Sequence, residues 1–382
     1  MDWNLRKILL MSAQALTISI IQLHAAKSNA NAGSSYPPAK TNGNTTAPTT
    51  SSCPHYFAFG DALYLKAQED GLDYAVIDKS PVIAFDDASG QSPQHHGKFK
   101  NGSASWDWGF RVGLGYNFNF DHWYVGLSWT QFNTENTRHS SPNLAKETLF
   151  PTRTGGVSDG GLPAAPLFIV YFADKAKAQW DLHYTTLDLD LGRYCKINRF
   201  LSLTPFVSLR AAKILQDFDI TYTNPNYFTG GGVRVFFPKD KVDITNNMWG
   251  IGPRLGLNTH WMFSPNFGFY ANGSIALLWE RFHVSTKETQ TLPDGSHFVP
   301  MNVHEGEHEV NFNAQVALGF QYDQDFSEGK YHLNLGIGWE QIIWLDQNQT
   351  YHFLNTVNVS NMQKEHSNFN LSGVRLGARL DF

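Results

Sequence analysis

Cysteine and charge are both scarce in this chain of 382 residues: it has 2 Cys, and 16% of its residues are charged, where ordinary soluble domains carry about a quarter. Two cysteines exclude a disulfide-stapled mini-domain. The formal net charge is −5 and no run of Lys or Arg occurs, so the basic face of a nucleic-acid binder is missing. Beyond the N-terminal segment there is no stretch of about 18 apolar residues, which excludes a membrane helix in the rest. What is abundant is aromatic and small: 14% aromatics, 11 Trp, 28 Phe and 32 Gly. That composition opposes bulk disorder. It fits either a soluble all-β protein or a β-barrel whose lipid-facing residues are hidden in alternation, which leaves the mean hydropathy low at −0.33.

The N-terminus reads as an address. Arg6 and Lys7 precede a mostly apolar run from Ile8 to Leu23, and Ala25, Ala26, Ser28, Ala30 and Ala32 follow. Ala30-Asn31-Ala32 fits a small-x-small cleavage site, so 1–30 is expected to be a secretory signal peptide. Residues 31–54 are mainly Asn, Ala, Gly, Ser, Thr and Pro, too polar to pack, and are expected to form a flexible leader. Export implies an oxidising compartment, where Cys53 and Cys195 are candidates for a disulfide.

From residue 55 onward the pattern is period two. Trp106, Trp108, Phe110, Val112, Leu114 and Tyr116 form one face of an 11-residue segment, enough for a tilted strand to cross a bilayer. Comparable apolar faces begin at Trp123, Leu201, Trp249, Phe267, Val310, Tyr331 and Val374. Phe57, Phe59, Leu63 and Leu65 suggest an outward face interrupted by Asp61. Trp180, Leu182 and Tyr184 suggest another, which shifts phase at Thr185-Thr186 to Leu187, Leu189 and Leu191, as a β-bulge would make it do. Pro205 and Pro253 count against their strands, because proline gives the ladder no donor. Long and short gaps alternate between the ten segments. Strand-like pieces at 167–172 and 217–222 allow a count of twelve. The expected fold of 55–382 is an all-β, transmembrane, antiparallel up-and-down barrel of about ten strands (10–12), with short periplasmic turns and long outside loops. Trp and Tyr near strand ends match interfacial girdles. The terminal strand ends at Phe382, which resembles the signal read by the bacterial barrel-assembly machinery.

If the apolar residues face lipid, the alternate ones face the lumen: Asp107, Arg111, Asp181, His183, Asp188, Asp190, Arg193, Arg210, Arg254, Asn258, Glu280, Gln315, Glu340, Arg375, Arg379 and Asp381. Such groups either bias ion selectivity in a water-filled pore or pair with one another and fill the lumen. Lumen-side glycines such as Gly113, Gly115 and Gly256 leave space and also permit tight bending. His304-Glu305-Gly306-Glu307-His308 has the His/Glu/His spacing of a zinc protease. In an extended chain its two imidazoles stand about 13 Å apart, too far for one metal, so no metal or other cofactor is expected. Asp86, Asp87, His95 and His139 offer outside-loop acids and imidazoles, but no spacing among them marks a catalytic dyad.

Several stretches also resemble the Legionella-type major outer-membrane protein family of pore-forming barrels, found too in environmental chlamydiae. They are residues 59–72 (FGDALYLKAQEDGL), 187–193 (LDLDLGR), 205–210 (PFVSLR), 249–254 (WGIGPR), 339–341 (WEQ) and the terminal strand. The resemblance covers essentially Tyr56 to Phe382 and implies an outer-membrane channel passing ions and small hydrophilic solutes without catalysis. It carries over no catalytic residue. Expected partners are outer-membrane lipid and lipopolysaccharide, the assembly machinery, the permeating solutes and a homo-oligomeric copy, with no nucleic acid. The alternatives are a closed-lumen barrel acting as adhesin or structural surface protein through its loops, and a loop-borne surface protease.

Overall fold

The computed structural model describes residues 55–80, 96–102, 105–154, 170–228, 234–327, 330–353 and 362–382. The signal and leader segments, with Cys53, Asp86, Asp87 and His95, lie outside the described residues. Ten antiparallel strands form one closed sheet: β1 (Tyr56–Glu69), β2 (Trp106–Asn117), β3 (Trp123–Ser140), β4 (Lys175–Arg193), β5 (Leu201–Thr223), β6 (Lys239–Met262), β7 (Phe267–Thr291), β8 (His297–Phe326), β9 (Tyr331–Asn348) and β10 (Ser367–Asp381). Each pairs with the next, and β10 returns to β1. Closure removes the sheet edges that lipid cannot hydrogen-bond. The seam ends with Phe382, whose N–H donates to the Tyr56 carbonyl at 2.8 Å while Tyr56 donates back at 2.9 Å.

The number of strands is ten. The 217–222 piece is the outer half of β5, and Val170–Phe172 is a short strand that pairs with Asn226–Phe228 outside the barrel. At one end all connections are short. At the other, much of the sequence expected as loop is strand: β5 to β8 run 23 to 30 residues, and 292–296 is a tight turn. His304 and His308 accordingly sit within β8 and not in a loop. Around the same end, Asp73–Asp78, Gly97–Asn101 and Thr148–Pro151 form a small sheet of their own.

Two apolar faces were expected on the wrong side. β4 carries no bulge: its ladders with β3 and β5 run unbroken from Lys175 to Arg193. Trp180, Leu182 and Tyr184 therefore point into the lumen and are buried, while Asp181 and His183 point out. On β1, Phe57, Asp61, Leu63 and Leu65 face inward, and Tyr56, Ala58, Ala62 and Tyr64 face outward. The cause on β4 is the surroundings and not the backbone. Below Leu187 the outer face meets hydrocarbon and takes apolar side chains. Above it the strand stands in water, so the apolar side chains turn inward to form a core and the polar ones turn outward.

Each proline is paired on one side only, Pro205 with Leu257 of β6 and Pro253 with Leu209 of β5. The β5 ladder with β4 starts at Phe206, so Pro205 lies one residue past the last rung. On the β7 side of β6 the rungs skip from Ile251 to Arg254, leaving Pro253 unpaired there.

The boundary between lipid and water makes a testable contrast on β4. Leu189→Arg is expected to destabilise the barrel by about 2–4 kcal/mol, the cost of a cation on the lipid face at depth. His183→Arg, also outward but above the membrane, is expected to change stability by less than about 0.5 kcal/mol. Denaturant titration in lipid vesicles measures both, and equal losses would place the boundary elsewhere.

Candidate functional site

Within the membrane-spanning part, strand alternation directs polar side chains from nearly every strand at the barrel axis. They meet in a belt. Arg111 on β2 binds Glu340 on β9 at 2.5 Å and Asp61 on β1 at 3.2 Å. Arg375 on β10 reaches Asp61 at 3.0 Å. Arg210 on β5 grips Asp188 on β4 with two bonds of 2.7 Å. Arg254 on β6 lies 3.4 Å from both Asp188 and Asp190. Polar side chains join the two halves across the axis: Arg210 donates to Asn313 at 2.5 Å and to Gln315 at 3.1 Å, and Gln315 donates to Glu340 at 2.8 Å. Four guanidinium groups face four carboxylates, so the belt is neutral. Asp61, which broke the alternation read for β1, is one of its anchors.

Above the belt the lumen is mainly apolar, with Gln216, Asn246 and Glu280 buried in it. Trp180, Leu182, Tyr184, Ile214, Leu278, Phe282, Ile342, Trp344, Phe369 and Leu371 belong to one buried cluster. The Tyr184 ring on β4 lies 6.2 Å from Trp344 on β9, the strand across the barrel, and 6.2 Å from Phe369 on β10. These rings seal the lumen. The outer sheet caps the seal: Tyr222 donates to the Tyr74 carbonyl at 2.6 Å, and Tyr74 bonds Ser140 at 2.8 Å.

A cavity of about 180 Å³ lies below the belt and one of about 130 Å³ lies within it, against Arg111, Asp188 and Arg254; both are lined by Phe59, Asp61, Ser128, Asp190, Asn258, Asn272 and Arg375. The glycines do not leave these walls open. Phe57 lies over Gly115, Phe59 over Gly113, and Phe206 over Gly256, where an added Cβ would sit 2.2–2.3 Å from the ring. Inward aromatic rings thus occupy the space that glycine provides.

The expected lumen residues divide by height. Arg111, Asp188, Asp190, Arg210, Arg254, Glu340 and Arg375 form the belt, with Asn258 and Gln315 beside it. Arg379 pairs with Asp381 at 2.7 Å and covers the Phe57 ring at 4.0 Å. Glu280 is fully buried and accepts one hydrogen bond, from Asn311 at 3.0 Å. Asp107 faces inward at the end of β2 and accepts from Ser105 at 3.1 Å and from Thr134. Three do not belong to the lumen. Asp181 and His183 face outward above the membrane, and Arg193 binds Asp121 at 2.5 Å at an exposed turn, because it shares the outward phase of Leu187 to Leu191. Cys195 is half-buried in the two-residue strand Cys195–Lys196, which pairs with the start of β5. In β8, His304 and His308 face outward while Glu305, Glu307 and Glu309 face inward. Sequence reasoning did not place the cross-lumen aromatics Tyr184, Trp344 and Phe369. Trp344 falling in the polar phase was the available signal.

At the outer end, beyond the membrane, Asp240 on β6 is buried beneath Tyr171, whose hydroxyl donates to it at 2.5 Å. Burial pushes its carboxyl up to about 6.

Residues 49–382 match the family model described as the Legionella pneumophila major outer membrane protein precursor. Among curated proteins none matches. Solved structures similar to the chain include the outer membrane protease OmpT of Escherichia coli (12% identity over 88% of this chain and 100% of that one, TM-score 0.38). Others are a FadL homologue of Pseudomonas aeruginosa (11% identity, 87% and 91%, TM-score 0.26) and the P. putida toluene transporter TodX (10% identity, 86% and 90%, TM-score 0.25).

Arg210→Met strands a buried carboxylate and is expected to cost about 3–5 kcal/mol, whereas Arg193→Met, in an exposed pair, is expected to cost less than about 1 kcal/mol. Urea midpoints of the folded barrel in micelles separate the two, and a small loss at Arg210 would remove the belt as a structural element. For Asp240, a folded-state carboxyl raised above its unfolded value of about 3.9 favours the fold when protonated. The outer end is therefore expected to lose stability as pH rises from about 4 through about 6. Hydrogen exchange at 170–172 and 239–242 measures this; Asp240→Asn should flatten the dependence, and an unchanged slope in that variant would assign it to another group.

Proposed function

The chain belongs to the Legionella major outer membrane protein family, and on that premise we propose that it is a pore-forming outer-membrane barrel, shut at rest, that passes ions and small hydrophilic solutes when its aromatic seal parts. The observation that carries this reading is the polarity of the lumen inside the membrane. Lipid requires only the outer face to be apolar. A lumen that served solely as packing would be filled at lower desolvation cost by apolar side chains. Here the inner face instead presents an acid–base belt of eight charged groups, with one cavity among them and another beneath. A solute entering from the short-turn side meets cavity, belt and seal in that order. Because the belt is neutral, width filters more strongly than sign of charge. The reading assigns the barrel no catalysis: transport here is diffusion along a fixed path.

A second reading rests on the apolar cluster, which fills the lumen from the belt to the outer sheet, with Gln216, Asn246 and Glu280 buried among its side chains. It makes the barrel permanently closed, a structural or adhesive surface protein acting through its outer end.

Planar-bilayer recording tests the choice. Wild-type protein, shown to be folded by its heat-modifiable gel mobility, is expected to give sparse conductance steps. Tyr184→Ala with Trp344→Ala removes the facing rings and is expected to raise open probability at least about tenfold, the effect of about 1.4 kcal/mol taken from the closed state. A wild-type protein silent at every voltage, beside a conducting variant, would sink the pore and leave the closed barrel.

A further inference from the structure

On the outer surface, the level of the upper tryptophans carries a line of basic side chains. Lys213 of β5 pairs with Trp249 of β6, Trp249 with Arg281 of β7, and Arg281 with His308 of β8. These four side chains form one continuous row over four neighbouring strands, all outward and all exposed. The Trp279 ring lies parallel to the His308 imidazole, 5.0 Å away at 9°. Trp249 meets Trp279 edge-on at 5.7 Å. Below this row the same faces continue into the lipid belt with Ile251, Leu277 and Val310.

The cations of this row are not neutralised by the protein. Among the described residues, neither Lys213 nor Arg281 has an ion pair or a side-chain hydrogen bond. The outward carboxylates of β5 and β6 lie further from the membrane and are engaged there: Asp217 accepts from Thr245 at 2.9 Å, and Lys241 is paired with Asp219 at 3.4 Å and with Asp243. Lys241 is thus satisfied by neighbouring acids, while Lys213 and Arg281 at the membrane surface are left for something else.

The height of the row says what that is. Indoles at this level sit among headgroups, and uncompensated Lys and Arg there attract anionic lipid. A guanidinium fork matches phosphate with two parallel hydrogen bonds, and an ammonium beside it adds a point charge. We propose that Lys213, Arg281 and His308 bind the phosphate of an outer-leaflet glycolipid headgroup, with Trp249 and Trp279 packed against its sugar and the start of its acyl chains. The site lies on the outer wall, apart from the lumen, so it stands whether or not the barrel conducts.

Titration of folded barrel in micelles with phosphorylated lipid A, and in parallel with the dephosphorylated lipid, tests it. Wild type is expected to prefer the phosphorylated form at least about tenfold, from two unpaired cations at the membrane surface. Lys213→Gln with Arg281→Gln should abolish the preference; Lys241→Gln, removing a cation already paired, should keep it, as should the conservative Lys213→Arg. Gel mobility before and after heating verifies that each variant is folded. Equal binding of both lipids, or an undiminished preference in the double variant, overturns the site. Displacement of the lipid by millimolar inorganic phosphate alone would also overturn it, since that makes the row a site for free phosphate.

Discussion

The longer strands of this barrel, β3 to β9, leave hydrocarbon and enter water without leaving the sheet, and the organisation of the interior follows from that passage. A strand has two faces and its side chains alternate between them without exception. Whatever the outside demands at a given height, the inside receives the complement. In the bilayer the outside takes Leu, Val, Ile and Trp, so the lumen receives Arg, Asp, Glu and Asn. Above the bilayer the outside takes Asp, Lys, His and Thr, and the lumen receives mainly Trp, Leu, Tyr and Phe, with a few buried polar side chains such as Gln216 and Glu280 among them. β4 shows the exchange within one strand: Asp188 and Leu187 below, Leu182 and His183 above. A polar belt and an apolar core thus share one lumen as two consequences of one rule.

The belt is stable only as a network. Removing a carboxylate and a guanidinium from water costs more than a single contact returns, and the deficit closes when every lone pair and proton finds a partner. Asp188 receives both arms of Arg210 and the flank of Arg254, and Glu340 receives Arg111 and Gln315. The narrow barrel makes this possible. Arms that start on β2 and β9, or on β5 and β8, meet near the axis because ten strands enclose little more than two side-chain lengths. The glycines lining the lower wall serve the same economy of space, with Phe57, Phe59 and Phe206 lying flat where a Cβ would stand.

Lipid-facing strands were legible in the sequence wherever the full crossing lay in hydrocarbon. The run from Trp106 to Tyr116 could be placed face by face, and so could the faces starting at Trp249 and Phe267. Most of the belt followed by complement: once Leu187, Leu189 and Leu191 face out, Asp188 and Asp190 must face in. The illegible part was the height at which lipid ends. Trp180, Leu182 and Tyr184 have the same alternation as a lipid face, and nothing local distinguishes an indole turned to lipid from one turned to an apolar core. A supposed bulge absorbed the contradiction. On β1, Phe57 and Phe59 look lipid-facing because glycine on β2 gives them room inside, a fact carried by Gly113 and Gly115 and not by β1. Belt membership of Asp61 was hidden for the same reason, as its partners Arg111 and Arg375 are distant in sequence.

Belt and seal are joined mechanically through two strands. Asp188 and Tyr184 are four residues apart on β4, and Glu340 and Trp344 are four apart on β9, a separation of about 13 Å along either strand. On each strand one side chain is held in the belt and another reaches across the axis in the seal. A closed sheet cannot splay at one height alone, since every rung is shared with a neighbour. Ion pairs that draw the inner faces of β4 and β9 toward the axis at the belt therefore also set the span that Tyr184 and Trp344 must cover above it. The rings meet at 6.2 Å, and the opening proposed above moves them while the backbone stays paired. On the proposed pore reading, the ladders fix the width and the side chains at the axis decide whether the path is continuous.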